Sequence, residues 1–136
     1  MTPEGERFLQ NADDHLERGQ IMIRDGLNYD AGRAAYLAAF HAAQALIFER
    51  TGKVAKTHKG VNIEFLRATR DDPCFTPEQR GFLSKAYDFK AVADYDTGPI
   101  ADVSSQEAVD ALEAARKFVS TVRHVLTPPP TESQKR

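Results

Sequence analysis

A chain of 136 residues with 41% apolar and 28% charged side chains has the size and composition of one folded domain, large enough to bury a core without cross-links. Its formal net charge of -2 lacks the basic surplus that sequence-independent binding to duplex nucleic acid demands, leaving room only for a local basic patch. The single cysteine, Cys74, excludes an intramolecular disulfide and a cysteine-based zinc site; with no signal peptide and no apolar run of membrane-spanning length, the chain is expected in the cytoplasm.

Helical spacing prevails along the whole chain, and no segment alternates apolar and polar residues as a strand would. The first helix is expected over residues 3–24, with Leu9, Ala12, Leu16 and Ile23 on one face and Gly26 as its stop. The second is expected to open at Asp30 as N-cap and to run to Thr51 and Gly52. Tyr36, Phe40, Ala43 and Ile47 form one stripe, and Ala31, Ala35, Ala38, Ala42 and Ala45 an adjoining one. Side chains that small let neighbouring helices approach closely, so this helix should be the central one. The third spans about 57–70, with Val61, Phe65 and Ala68 inward. "TPEQ" at 76–79 and "SSQE" at 104–107 are capping-box starts for the fourth and fifth helices. The fourth carries Phe82, Ala86, Phe89 and Ala93 on its core stripe and Leu83, Tyr87, Lys90 and Asp94 on a second. The fifth carries Ala108, Leu112, Ala115, Val119, Val122 and Leu126.

The reading is an all-α, up-and-down bundle of four long helices plus a short inserted one, over residues 1–126. Short connections would make sequential helices antiparallel. Residues 127–136, "TPPPTESQKR", form a proline-rich tail expected to be disordered.

Chemistry is sparse. His15, His41, His58 and His124 include no pair at the spacing of a helical metal site, and no metal or cofactor is implied. His41 lies between the apolar stripes of the second helix and should be hydrogen-bonded at an interhelical contact, while His15 and His124 should face solvent. No glycine-rich phosphate loop or nucleophile elbow occurs. A basic cluster, Arg50, Lys53, Lys56, His58 and Lys59, fills the connection into the third helix, where exposed backbone N–H groups offer a phosphate site. A solvated loop accounts for the same residues.

"AAYLAAFHAAQALIF" (34–48), "KTHKGV" (56–61), "ADYD" (93–96) and "EAVDALEAARKFVSTV" (107–122) together resemble a HEPN domain. The match is to the prokaryotic branch that stands beside minimal nucleotidyltransferases in toxin–antitoxin pairs. The resemblance implies a helical bundle, a homodimer, and in active members a metal-independent ribonuclease whose Arg and His, four to six residues apart, meet in the dimer cleft. Cleaving RNA through its own 2′-hydroxyl needs a proton acceptor, a proton donor and a cation for the phosphorane charge.

This chain departs from that signature. Its helically spaced Arg–His pairs, such as Arg33–His41, are eight residues apart, about 12 Å and roughly 80° around a helix, which suits no shared reaction centre. Where the resemblance places the motif, at the end of the fourth helix, stand Lys90, Asp94 and Tyr95. Lysine lacks the bidentate grip of arginine on phosphate, and an ionised aspartate is a poor general acid. The resemblance therefore implies a homodimer cleft that binds RNA or a nucleotide with a degenerate ribonuclease motif, lined by Lys90, Asp94, Tyr95 and His41, with Lys56, His58 and Lys59 as phosphate contacts. It also implies a minimal nucleotidyltransferase as partner, with Tyr95 placed for modification by it. The alternatives are an active metal-independent endoribonuclease toxin, with Lys90 stabilising charge and His41 or Asp94 moving protons, and a non-catalytic helical adaptor that binds protein.

Overall fold

The structure, a computed structural model, describes residues 1–95 and 102–127, and within the fourth helix it describes side chains as far as Asp88. Every regular element among the described residues is a helix: α1 (Pro3–Arg24), α2 (Asn28–Thr51), α3 (His58–Thr69), α4 (Pro77–Tyr95) and α5 (Ser105–Leu126). The tail at 128–136 lies outside the described residues.

The ends of the helices follow from local chemistry. Thr2 caps α1, its hydroxyl accepting from the Gly5 N–H at 3.0 Å. Thr76 and Gln79 form the expected capping box on α4, with bonds of 3.0 and 3.1 Å. Ser104 and Glu107 do the same on α5. Gly26 and Gly52 adopt φ of 78° and 73°, left-handed values that a side chain would strain, and so terminate α1 and α2. One start differs from expectation. Asp30 is not the N-cap of α2; the helix begins two residues earlier, after Leu27, which makes no side-chain cap. The α1–α2 corner is held in other ways: the Leu27 N–H donates locally to the Met22 carbonyl at 2.8 Å, and the Asn28 side-chain amide donates to the Val103 carbonyl at 3.2 Å, tying the start of α2 to the chain just before α5.

Side-chain ties orient the bundle. Thr2 donates to the Glu49 carboxylate from its N–H at 2.7 Å and its hydroxyl at 2.6 Å, joining the start of α1 to the end of α2. Arg123 grips Asp13 with both guanidinium nitrogens, at 2.8 and 3.3 Å, and Arg116 reaches Gln20, so α5 also runs against α1. Gln79 to Thr121 on α5 and Asn62 to Ser84 on α4 make α4 antiparallel to both α5 and α3. The four long helices thus alternate up and down.

Among the described residues, α2 is the one helix packed against all four others. Ala31, Ala35, Ala38, Ala39, Ala42, Ala43 and Ala45 are fully excluded from solvent, because only a methyl group fits between axes this close. α5 contributes Phe118 as well as the expected stripe; its ring lies 5.0 Å from Phe65 of α3 and 5.9 Å from Phe82 of α4. Ile23, Ala68 and Leu126, expected inward, are only partly buried.

The expectation of simple hairpins fails between α2 and α3. Residues 52–57 turn back along α2: the Gln44 amide donates to the Ala55 carbonyl at 2.8 Å, and His58 arrives beside Tyr36, about four turns before α2 ends. Two hydrogen bonds on α2 thus hold an extended connection in place of a tight turn. That detour brings the basic cluster to the middle of the bundle.

Candidate functional site

Three helices converge at Tyr36. Its side chain projects from α2, 1% exposed, and its hydroxyl meets Nδ1 of His58 at 2.9 Å. His58 is the first residue of α3, placed there by the cap that Thr57 makes to the Gly60 N–H at 3.0 Å. The imidazole stacks on Tyr87 of α4, centroids 3.8 Å apart and planes 17° from parallel. Tyr87 also meets Tyr36 edge-on at 5.8 Å. Burial, and after it the nearby Tyr87 phenol, pushes the Tyr36 hydroxyl far above the ordinary tyrosine range, so it is a phenol at any working pH.

From Tyr36 the rings continue along α2. Phe40 lies 5.8 Å from Tyr36, His41 lies 5.8 Å from Phe40, and His41 stacks on His15 of α1 at 5.3 Å with planes 9° apart. His15 is therefore half-buried against α2 rather than facing solvent as expected. Burial lowers its pKa first, followed by the His41 and Arg18 charges; Asp14 opposes them and Arg33 adds to them. His124 is exposed, as expected.

His41 has the hydrogen bond that sequence reasoning anticipated. Gln44 donates its amide nitrogen to Ala55, which leaves its oxygen, 2.8 Å from His41 Nδ1, as an acceptor. His41 therefore carries a proton on Nδ1. The stack on His15 places its ring on the α1 side of α2. Among the described residues, the hydrogen-bond and ring contacts of His41 are with α1 and α2 and none is with α4.

The basic cluster divides. Lys53, Lys56 and Lys59 are exposed, whereas His58 is half-buried in the aromatic stack, so the group is not simply a solvated loop. Lys90, Asp94 and Tyr95 lie outside the residues whose side chains are described. Helical geometry puts position 94 two turns past Tyr87 on nearly the same face, and position 90 within about 60° of it.

Sequence reasoning missed Tyr36 as a site residue and took it for core alone. The signal was there in residue type: a buried phenol needs a hydrogen-bond partner, and His58 was a candidate. Cys74 is exposed, and a hydrogen bond with Asp72 pushes its thiol pKa upward, away from nucleophilic behaviour. Among the described residues no group of three or more His, Cys, Asp or Glu could hold a metal ion, and no helix is long and apolar enough to cross a membrane.

A groove of about 1040 Å³ between α4 and α5 is floored by apolar residues such as Phe82 and Ala111. Glu78, Asp88, Asp102, Glu107 and Asp110 line it against only Lys85 and Lys117, a balance that repels phosphate. Anion chemistry therefore points to the His58 side of α4.

Fold and site together define a small helical bundle whose polar chemistry gathers where α2, α3 and α4 meet. The chain belongs to the HEPN domain family, whose model matches residues 6–125. A relative from Methanocaldococcus jannaschii is 27% identical over 127 residues, covering 93% of this chain and 91% of its own, and bears the name "putative toxin".

Proposed function

We propose that this protein is a HEPN toxin-type protein that binds RNA or a nucleotide in a cleft formed where two copies pair over the last turns of α4. The Lys90, Asp94 and Tyr95 positions line that cleft, and Lys56, His58 and Lys59 contact phosphate from α3. The altered motif leaves little or no catalytic power. The observation that carries this reading is the stack of His58 on Tyr87 at 3.8 Å. It ties the basic connection to the polar face of α4, two stretches about thirty residues apart in the chain. His41 is dropped from the α4 cleft and assigned to the α1–α2 face. The reading includes a minimal nucleotidyltransferase as partner, for which the adjacent reading frame is the direct check.

Light scattering should return about twice the 15.1 kDa chain mass. The protein should bind short RNA with an affinity that falls as salt rises, and Lys90→Ala should weaken it. A monomer that binds no RNA leaves the protein-binding adaptor as the better reading.

One observation favours an active endoribonuclease as the second reading. His58, set against α4, supplies the imidazole that position 94 lacks. In that case expression without a partner arrests growth and Lys90→Ala relieves it; normal growth removes this reading.

A further inference from the structure

We infer that the groove between α4 and α5 is a docking site for a basic, amphipathic helix of a partner protein, on the flank of α4 that faces away from His58. The inference stands on the described residues of this groove and is independent of the phosphate reading.

Helical spacing builds the groove. Glu78, Gly81, Lys85 and Asp88 follow one another at steps of three, four and three along the outer edge of α4. Glu107, Asp110, Ala114 and Lys117 do the same along α5, and Phe82, Ala86 and Ala111 lie between the two edges. Gln79 bonded to Thr121, and Phe82 against Phe118, hold the helices together. Each edge advances ten positions, about 15 Å, the length of roughly three helical turns. Position 87 lies about 180° around α4 from position 78, so the groove and the His58 stack occupy opposite flanks of one helix.

Charge and shape name the occupant. Among the described residues five carboxylates line the groove against two lysines, and one of these, Lys117, is drawn to Glu113 at 3.8 Å. Glu78, Asp88 and Asp102 make no hydrogen bond or ion pair among the described residues. That balance turns away nucleic acid and attracts lysine and arginine. An apolar floor between acidic edges suits a ligand that is apolar on one face and basic on its flanks, which at this length is an amphipathic helix. Gly81 adds an independent observation. Glycine weakens a helix interior, and elsewhere in the bundle it makes room for a neighbour within the chain. A Cβ at Gly19 would lie 2.7 Å from Leu112, and one at Gly5 would run into Glu49. At Gly81 a Cβ would meet no described atom within 4 Å, although the residue sits on the edge of the groove. The packing of this chain does not call for glycine there; the close approach of a ligand backbone to α4 does.

The probe is a fluorescein-labelled peptide of about 14 residues, long enough for the groove, with leucines at helical spacing and lysines on the remaining face. Anisotropy titration should show saturable binding of one peptide per chain that weakens as salt rises, and the counterpart with glutamate in place of lysine should not bind. Gly81→Leu fills the groove from a position with space for a side chain. It should weaken binding about tenfold while the melting midpoint holds or rises. Asp110→Lys should weaken it about threefold. Glu6→Lys makes the same charge change on α1, which does not pack against α4 among the described residues, and should leave affinity unaltered. Unmoved affinity in Gly81→Leu, or equal losses in Asp110→Lys and Glu6→Lys, means attraction to an acidic protein at large and overturns the inference. A native chain that binds no peptide at about 1 mM overturns it too. A dimer by light scattering that Gly81→Leu converts to monomers assigns the groove to a second copy of this chain and overturns the partner protein as its occupant.

Discussion

Phe118→Ala is expected to destabilise the fold by about 4 kcal/mol, near the centre of the range for deleting a buried phenyl ring. The side chain is fully buried, and its ring touches Phe65 of α3 and Phe82 of α4. Phe65 in turn meets Phe75 edge-on at 5.5 Å, so four rings from α3, α4, α5 and the α3–α4 connection share one cluster. Losing the apolar burial accounts for about 2–3 kcal/mol. The two aromatic contacts add about 1 kcal/mol, and the cavity, walled by separate helices that cannot all close in, adds the rest. At roughly 2.1 cal/mol/K per residue, 136 residues give an unfolding entropy near ~0.29 kcal/mol/K, so the melting midpoint should fall by about 14 °C. Thermal melts followed by circular dichroism, with urea titration in parallel, measure both quantities. Phe118→Leu should fall by only about a third as much. A fall below about 3 °C for Phe118→Ala, with an unchanged urea slope, would refute the claim that this ring joins three helices.

Other outcomes follow from particular groups. The Thr2 hydrogen bonds hold the Glu49 carboxyl below its ordinary value of 4.5, so the folded state releases that proton more readily than the unfolded chain. Its contribution is complete above that ordinary value and is lost as pH falls through the folded value; Glu49→Gln should flatten the acid limb of a stability–pH curve, and an unaltered limb counts against the tie. His15, lowered from 6.5, binds a proton less readily when folded, so stability should decline as pH drops through that value. A His15 midpoint at or above 6.5 by NMR titration contradicts its burial against His41. Thr76→Ala should destabilise by about 1 kcal/mol through the lost α4 cap. Exposed Ser120→Ala, which removes no described contact, is the comparison, and an equal effect for both denies the capping box a role.

Much of the bundle was legible because its signals are local. The capping boxes at Thr76 and Ser104, the glycine stops and the alanine stripes of α2 each act within a few residues, and each appears where the spacing put it. What escaped acts across the chain. The start of α2 at Asn28, ahead of Asp30, comes with a bond from Asn28 to Val103, 75 positions away, and Thr2 found Glu49, 47 positions away. Phe118 sits one position before Val119 on a helix whose stripe already looked complete, and only the aromatic cluster opposite explains its burial. The site behaved likewise. Residue types marked His58 and His41, but the backbone detour at 52–57 decided that one meets α4 and the other α1. No periodicity encodes such a detour.

The coat of methyl groups on α2 has an evolutionary consequence. With side chains this small, the spacing of the surrounding helices is governed by one backbone, like spokes seated on a hub of fixed diameter. A single enlargement there, Ala39→Val for example, would push a neighbour outward and carry the phenol–imidazole register with it. Drift in the core and drift in the geometry of the Tyr36–His58–Tyr87 stack are thus mechanically coupled in this chain, and the stack can be retuned from positions that never reach the surface.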